Sequence, residues 1–274
     1  MSIRRVSILP QITLFVVSAL WVIPIIGILL MSVRPESEIM TGWWKIHPFT
    51  FTLDAWKVVW QKYPLGSAFI NSVIVSGLST LLPVVLAPAA AYAYQYLRFP
   101  GRKLTLLLLV NAFVLPNQIL ILPLFRIFRQ MGLIDNYFSV ILPQTGLAFA
   151  WSVFMVKVFL KDFPYSIIEA ARIDGSGNLR TFFVVVFPNL VTIIASVAIL
   201  QFMWTWNDLL MPMLFLRENV TLPPLLARIK GALEPNWDLV AVASIITTAI
   251  PILIFIYFQK ALGGGATIAS GDKG

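Results

Sequence analysis

Long stretches without a charged side chain constrain the fold of this chain more than any other feature. Six such windows hold at least twenty residues each, and they are 12–33, 64–97, 104–125, 136–156, 181–207 and 239–259. A helix that crosses a bilayer needs roughly 20 mostly apolar residues, so every window is long enough to cross. The chain is 59% hydrophobic with a mean hydropathy of +0.86, well above an ordinary soluble domain. We therefore expect an all-α polytopic membrane protein with six transmembrane helices.

Two other interpretations of these windows fit less well. A large soluble helical core would need polar faces at helical spacing, and the windows lack them. The first window follows Arg4 and Arg5, as the apolar part of a secretory signal would. It is longer than such a region and ends without a small-x-small cleavage pattern, so we expect a retained first helix.

The distribution of Lys and Arg predicts that both termini lie on the cytoplasmic side. Eleven of the twenty basic residues then fall in inner segments, although these segments are shorter in total than the outer ones. The inner segments are 1–11, 98–103, 157–180 and 260–274. The turn RFPGRK at 98–103 alone holds three basic residues. The net charge of +8 therefore indicates membrane topology rather than nucleic-acid binding.

This topology divides the chain into three parts. We expect a cytoplasmic N-terminus at 1–11, a six-helix permease domain at 12–260 with its core at 67–260, and a cytoplasmic tail at 261–274. A charged inner loop, 161–181, joins the fourth and fifth windows.

The composition excludes most chemistry. Cysteine is absent, so disulfides, iron–sulfur clusters and thiolate metal sites are excluded. His47 is the one histidine of the sequence, which rules out paired-histidine zinc motifs. No Gly-x-x-x-x-Gly-Lys-Ser/Thr phosphate loop occurs. We assign no catalytic residue, metal ligand or cofactor to the chain and expect that it is not an enzyme.

The inner loop DFPYSIIEAARIDGSGNLRT predicts a short helix followed by a turn. Asp162 or Ser166 is expected to cap the helix, and Ser166 with Glu169 has the spacing of a capping box. Asp174-Gly175 predicts the stop, with glycine free to adopt a positive φ. By pattern alone, the loop can equally be a simple re-entry connection in which Arg172 and Arg180 only anchor the topology.

A family resemblance decides between these interpretations. Glu169-Ala170-Ala171, then Gly175, then Phe187-Pro188 resembles the EAA signature of binding-protein-dependent ABC importer permeases. The family commonly has Leu-Pro-Leu where this chain has Phe-Pro-Asn. Four more stretches resemble the carbohydrate-type members, and they are 71–103, 115–142, 202–226 and 258–274. The chain resembles the second, smaller permease subunits of maltose-type sugar importers.

The resemblance implies an ABC type I importer permease fold with a short cytoplasmic coupling helix. It implies that the chain forms half of the translocation pathway for a sugar, and we expect a di- or oligosaccharide. Its expected partners are a second, different permease, two ATPase subunits that bind ATP and Mg²⁺, and an extracytoplasmic substrate-binding protein. The expected location is a bacterial-type inner or plasma membrane. The residues expected to couple to the ATPase are Glu169, Ala170, Ala171, Arg172, Asp174 and Gly175.

Two further groups of residues are candidates for function. Polar side chains within membrane windows either form hydrogen bonds between helices or line a water-filled path. The candidates for the pathway are Asn117, Gln118, Gln201 and Asn207 inside the windows, and Asp208 at the end of the fifth span. The resemblance also implies that the outer loop 217–238 reaches the binding protein. Its candidate contacts are Thr221, Pro223, Pro224 and Lys230.

A self-contained secondary transporter or channel, driven by an ion gradient, is the alternative function. Such a protein is expected to show intramembrane acids or broken helices in matching halves of the chain. The windows hold no acid, and no internal repeat is evident. A membrane-embedded enzyme is a third class, and the sequence offers no catalytic constellation for it.

Overall fold

A computed structural model describes residues 8–114, 116–231 and 236–270, except for the side chains of Leu9 and 258–270. Most of the expected N-terminal segment and the end of the expected C-terminal tail, residues 1–7 and 271–274, lie outside the described residues. The same holds for 232–235 of the outer loop.

The described chain is helical and contains no strand, which confirms the all-α fold class. Its helices are α1 Ile8–Met31, α2 Glu36–Gly42, α3 Asp54–Lys62, α4 Leu65–Tyr96, α5 Arg102–Val114, α6 Asn117–Gln130, α7 Phe138–Lys161, α8 Tyr165–Ile173, α9 Asn178–Arg180, α10 Val191–Trp206, α11 Leu210–Phe215, α12 Leu222–Lys230 and α13 Trp237–Ser270. A π-helical turn, Thr181–Val186, and a 3₁₀ turn, Phe187–Leu190, join α9 to α10.

Five of the six windows form helices long and apolar enough to cross a membrane. The remaining window, 104–125, forms the pair α5 and α6, which meet at an angle of 98°. Pro116 stands immediately before α6, with a ψ of 123° that no α-helix contains. Proline also lacks the N–H that would continue the helical ladder. The six expected spans therefore correspond to five long helices and one bent pair.

The span that contains α10 is irregular where Pro188 interrupts it. Proline in a regular helix clashes with the carbonyl four residues earlier and removes one hydrogen bond. Here the chain widens into the π-helical turn before Pro188 and tightens into the 3₁₀ turn at it. The Asn189 side chain donates from Nδ2 to the Val185 carbonyl at 2.7 Å. A side-chain amide thus bonds a backbone carbonyl within this irregular stretch.

The described helices belong to two compact units. One unit comprises the residues up to Leu65 together with 225–249. Its α1 is exposed around its whole circumference as far as Ile26. Because a helix that is apolar all round needs lipid or another helix to cover it, α1 is suited to a membrane environment.

A buried arginine organises the segment that follows α1. Arg34 is 1% exposed, and it pairs with Glu38 at 3.0 Å. The guanidinium also donates to three backbone carbonyls, those of Trp43, Lys45 and Pro48, at 3.1, 3.0 and 2.7 Å. A guanidinium offers five N–H donors in a fixed fork, so one side chain can hold several turns of a loop. Arg34 therefore fixes the path of the chain between α2 and α3.

Glu38 completes this arrangement from the other side. The Thr50 N–H donates to both carboxylate oxygens, at 3.1 and 3.2 Å. Hydrogen bonds from Thr50, and then those from Arg34, hold the pKa of Glu38 below its ordinary value. Because the folded pKa is lowered, Glu38 contributes stability above its ordinary pKa, and this contribution is lost as the pH falls through the lowered value.

The other unit comprises Gly66–Pro224 and the residues from Ile250 onward. One of its core clusters joins α4, α7, α8, the π-helical turn and α10 through Ala91, Val156, Ile168, Val186 and Val197. A second cluster joins α4, α6, α7 and α11 through Val75, Phe128, Val140 and Phe215.

A carboxylate orders the loop at the start of α7. Asp135 has a φ of +66°, and its Oδ1 accepts the consecutive N–H groups of Arg217, Glu218 and Asn219 at 2.9 to 3.2 Å. The Asp135 N–H in turn donates to the Phe215 carbonyl at 2.8 Å. The segment after α11 is therefore fixed to the α6–α7 loop.

We expect Arg34→Met to lower the Tm of the purified protein by roughly 5 °C or more, because three backbone carbonyls and one buried carboxylate would lose their donor. Lys57→Met is the matched control, because Lys57 also pairs with an acid but is 69% exposed. An exposed pair contributes less than about 1 kcal/mol, so the control should keep its Tm within about 2 °C. Equal effects of the two substitutions, measured by intrinsic fluorescence on heating, would contradict the role of Arg34.

Candidate functional site

The inner loop folds as the short helix α8 and a tight turn. At its end, the Ser176 N–H donates to the Ala171 carbonyl at 2.9 Å, and the Gly175 N–H donates to the Arg172 carbonyl at 3.0 Å. This pair of bonds defines a Schellman cap, which needs a left-handed residue just past the helix. Gly175 supplies it with a φ of +80°. The expected helix and its glycine stop are confirmed.

The beginning of α8 differs from the expectation. Pro164 occupies the N-cap position, and no side chain caps the helix there. Ser166 lies inside the helix, so the capping box with Glu169 does not form. Proline is favoured around helix starts because its φ is already helical and its missing N–H is not needed there. The expected caps at Asp162 and Ser166 are therefore wrong.

One apolar side chain anchors α8 to the membrane-embedded core. Ile168 is fully buried in the cluster that contains Tyr92, Leu160 and Phe182. Ile167, beside it, is 44% exposed, so the helix buries a narrow stripe only. The anchor attaches α8 to α4, α7 and the π-helical turn at one point.

Tyr96 adds a second attachment. Its hydroxyl donates to the Leu160 carbonyl of α7 at 2.8 Å. Its ring, at the end of α4, stacks on the ring of Tyr165 in α8, with centroids 6.1 Å apart and planes inclined by 30°. Through these contacts α8 is held to two spans at its first turn.

The surface of α8 that faces away from the anchor is open. Glu169, Ala170, Asp174 and Gly175 are exposed, while Ala171 and Arg172 are half-buried. In the described chain, the Glu169 carboxylate makes no hydrogen bond or ion pair. Small alanine side chains let another backbone approach closely, which suits this face to docking.

Arg172 braces the loop. Its Nη1 donates to the Tyr165 hydroxyl at 3.2 Å, and its Nη2 lies 3.5 Å from the Asn178 Oδ1. No ion pair of Arg172 or Asp174 occurs within the described residues. Arg172 thus connects the two ends of the loop across α8.

A cavity of about 620 Å³, whose mainly apolar lining carries several polar side chains, lies between the bent pair α5–α6 and the helices α7, α10 and α11. All five candidate pathway residues line it, namely Asn117, Gln118, Gln201, Asn207 and Asp208. The lining also contains Gln144, Trp151 and Trp204, which were not in the expected set of pathway residues. The one feature of these residues that the sequence shows is a polar or indole side chain within an uncharged window.

One wall of this cavity is fixed by hydrogen bonds between side chains. Gln144 donates from Nε2 to Asp208 Oδ2 at 2.6 Å, and the Leu210 N–H donates to Asp208 Oδ1 at 3.1 Å. The Trp151 indole N–H donates to Gln201 Oε1 at 2.9 Å. Gln144 and Gln201 are also buried, at 7% and 4% exposure. These groups form a rigid polar surface.

The opposite wall carries amides without such partners. In the described part of the chain, Asn117 and Gln118 of α6 make no side-chain hydrogen bond, and Gln118 is exposed. On the fixed wall, Asn207, which directly precedes Asp208, donates to the Met203 carbonyl at 2.7 Å and is exposed. Free amides with both a donor and an acceptor suit a ligand that carries many hydroxyl groups.

The four candidates for contact with a binding protein divide by exposure. Thr221 and Pro224 are buried, whereas Pro223 is half-buried and Lys230 is exposed. Because a partner cannot reach a buried side chain in this conformation, Pro223 and Lys230 are the accessible members of the set.

Comparison with known proteins identifies the family. Residues 81–266 match the model of the binding-protein-dependent transport system inner membrane component family. The chain belongs to this family. A probable ABC transporter permease protein from Pyrococcus horikoshii is 33% identical to it, over 95% of each chain.

Two other proteins extend the likeness of this permease. A trehalose transport system permease protein from Mycobacterium tuberculosis is 32% identical over 89% of the permease and 90% of its own length. The fold is that of a chain in the crystal structure of a bacterial ABC transporter involved in the import of alginate, an acidic polysaccharide. The TM-score is 0.77 at 19% identity, and 92% and 95% of the two chains are covered. The permease is therefore a multi-pass membrane protein with the ABC importer permease fold.

We expect Ile168→Ala to weaken the attachment of α8, because deleting a fully buried isoleucine side chain costs about 2 to 5 kcal/mol. Amides of 165–176 that exchange through local opening should exchange at least about 30-fold faster by hydrogen–deuterium exchange. Ile167→Ala is the matched control and should change exchange little. Unchanged exchange in Ile168→Ala would refute the anchor.

Proposed function

We propose that this permease forms half of the translocation pathway of an ATP-driven sugar importer and couples to an ATPase through α8. The observation that carries the proposal is the construction of α8. The helix exposes a charged and small-residue face, while Ile168 and Tyr165 fix its other side to the spans. A helix of this kind is suited to transmit a displacement from a partner at the membrane surface to the spans that pack against it.

The mechanism follows from this attachment. Closure of two ATPase subunits around ATP would move the docked α8, and the spans packed against it would follow. Alternating access then requires two packing states of the spans that the ligands stabilise unequally. The permease supplies movement and a path, and ATP and Mg²⁺ act in the partner ATPase subunits. It therefore has no catalytic role in this proposal.

The proposal includes the remaining partners and the orientation. A second, different permease would complete the pathway, and an extracytoplasmic binding protein would deliver the sugar to the loop that contains Pro223 and Lys230. Both termini would lie in the cytoplasm of a bacterial-type cell, with the RFPGRK turn and α8 on the same side. The family description supports dependence on a binding protein.

The cavity favours a neutral di- or oligosaccharide as the substrate. Its described lining contains amides and two indole rings, and Asp208 is its one charged side chain. Amides pair with sugar hydroxyls, and indole faces pack on sugar rings, whereas a carboxylate repels an acidic sugar. The trehalose relative supports a neutral disaccharide, since trehalose is an uncharged disaccharide.

An ion-driven secondary transporter remains the second candidate, and Asp208 is the observation that favours it. A half-buried carboxylate beside a cavity can serve as an ion or proton site. Transport that continues without an ATPase and follows an imposed ion gradient in proteoliposomes would decide for this function.

The coupling role predicts the behaviour of two loop variants. We expect Glu169→Lys and Gly175→Pro each to reduce sugar-stimulated ATP hydrolysis at least about tenfold in the complex reconstituted with its binding protein. Glu169→Lys reverses the charge of the exposed face. Gly175→Pro is incompatible with the φ of +80° and removes the N–H that bonds Arg172, so it destroys the cap.

Gly177→Pro is the control for the proline variant. Gly177 already has a φ of −70°, which suits proline. No hydrogen bond from its N–H is found within the described chain.

Asp54→Lys is the control for the charge variant, because it makes the same change of charge in α3, outside the loop. Full activity of both loop variants would refute coupling through α8, whereas loss of activity in all four variants would show that the effects are not specific.

The cavity predicts a different kind of defect. We expect Gln118→Ala to raise the apparent KM for the transported sugar about three- to tenfold, because a neutral hydrogen bond contributes roughly 0.5 to 1.5 kcal/mol. Asn111→Ala is the matched control. Asn111 is an exposed amide of α5 that does not line the cavity and bonds the Leu107 carbonyl. Equal KM values for wild type and Gln118→Ala would place the sugar path elsewhere.

A further inference from the structure

A second cavity lies beside α8 and is unlike the first in its charge. It has a volume of about 520 Å³ and is formed where the ends of α4 and α7 meet the start of α5 and α8. We call it the basic pocket, and its lining residues are Gln95, Tyr96, Arg98, Arg102, Leu160, Lys161, Phe163, Tyr165 and Arg172. Four of these nine side chains are cationic, and none is acidic.

The cations of the basic pocket are not neutralised within the described chain. Neither Arg98 nor Lys161 forms a side-chain hydrogen bond or ion pair there, and both are exposed. Arg102 donates to two backbone carbonyls, those of Leu97 at 3.0 Å and Gln95 at 3.4 Å, which orients its guanidinium. Arg172 is similarly held by Tyr165. Two oriented guanidinium groups and two free cations make a prepared site for an anion.

The depth of the pocket indicates which anion reaches it. Tyr96 is the last residue of α4, Arg102 is the first of α5, and Lys161 is the last of α7. The pocket therefore lies at the ends of three spans, where apolar windows give way to charged residues. Lipid phosphates lie at this boundary, and basic pockets between span ends are suited to anionic head groups.

We propose that the basic pocket binds a phosphate group, and that its depth selects the head group of an anionic lipid. A phosphate with several oxygens can accept from Arg98, Arg102 and Lys161 at once, with Arg172 close by. Because Arg172 and Tyr165 belong to α8, the bound head group would bridge α8 to the ends of α4 and α7. The lipid would thereby strengthen the attachment of the helix proposed to meet the ATPase.

The test is retention of phosphatidylglycerol by the full chain in uncharged detergent, measured by native mass spectrometry against phosphatidylcholine. We expect the wild type to retain phosphatidylglycerol preferentially. The double variant Arg98→Gln/Lys161→Gln should lose roughly 30-fold in affinity, since each of the two cations near a head group contributes about 1 kcal/mol. This measurement requires neither transport nor an ATPase, so its failure is distinct from failure of the proposed function.

The double variant Lys103→Gln/Arg180→Gln is the matched control. It removes the same types and number of charges from exposed positions of α5 and α9 that do not line the pocket. It should retain phosphatidylglycerol as the wild type does. Equal losses of phosphatidylglycerol in the two double variants would overturn the proposal, because the binding would then depend on general surface charge and not on the pocket.

Two further arms identify the source of the anion. In one arm, sodium phosphate is added at millimolar concentration. If the protein bound free phosphate but did not retain phosphatidylglycerol, the assignment of the pocket to a lipid head group would be overturned. An acidic segment of the ATPase is the competing occupant. Loss of the ATPase from the Arg98→Gln/Lys161→Gln complex, with lipid retention unchanged, would assign the pocket to that segment and overturn the proposal.

Discussion

The absence of water inside a bilayer is the constraint on which the rest of this structure depends, since every backbone N–H and C=O there needs a partner within the protein. Helical hydrogen bonds meet this demand along most of the five long spans. Side-chain amides add hydrogen bonds in the irregular stretch before α10 and at the end of α10. Asn189 bonds the Val185 carbonyl, and Asn207 bonds the Met203 carbonyl, each at 2.7 Å. The polar residues of these spans therefore preserve the helical path, and Asn207 also reaches the cavity.

The same constraint explains why the charged inner loop is attached so firmly to an apolar core. A series of aromatic rings runs from the π-helical turn to α8 through Phe182, Tyr92, Tyr96 and Tyr165, with successive centroids 5.3, 5.4 and 6.1 Å apart. Tilted and stacked ring pairs stabilise beyond the area they bury. Ile168 fills the space beside this series. Because packed interiors transmit displacement rather than absorb it, a movement of α8 would reach the spans.

Local sequence patterns predicted the features that depend on neighbouring residues. The uncharged windows predicted the spans, and Asp174-Gly175 predicted the end of α8. The break at Pro116 was not predictable in the same way, because Pro83, Pro88 and Pro143 remain within helices. Packing between distant segments decides which proline interrupts a span. Packing likewise brings Asn117 and Asp208 to one cavity, although ninety-one positions separate them in the sequence. For Trp151 and Trp204, the local signal is only an indole side chain within an uncharged window, which does not predict that both line this cavity.

The position of α8 in the chain suggests how its movement alters the cavity. Three residues separate Lys161, at the end of α7, from Tyr165, at the start of α8, and the π-helical turn continues from α9 into α10. The fixed wall, with Gln144, Gln201 and Asp208, belongs to α7, α10 and the turn after α10. The wall with the free amides of Asn117 and Gln118 belongs to α6, which has no such short link to α8. A displaced α8 would therefore act on one wall directly, shift it against the other, and change how many hydroxyl groups both walls can hold at once.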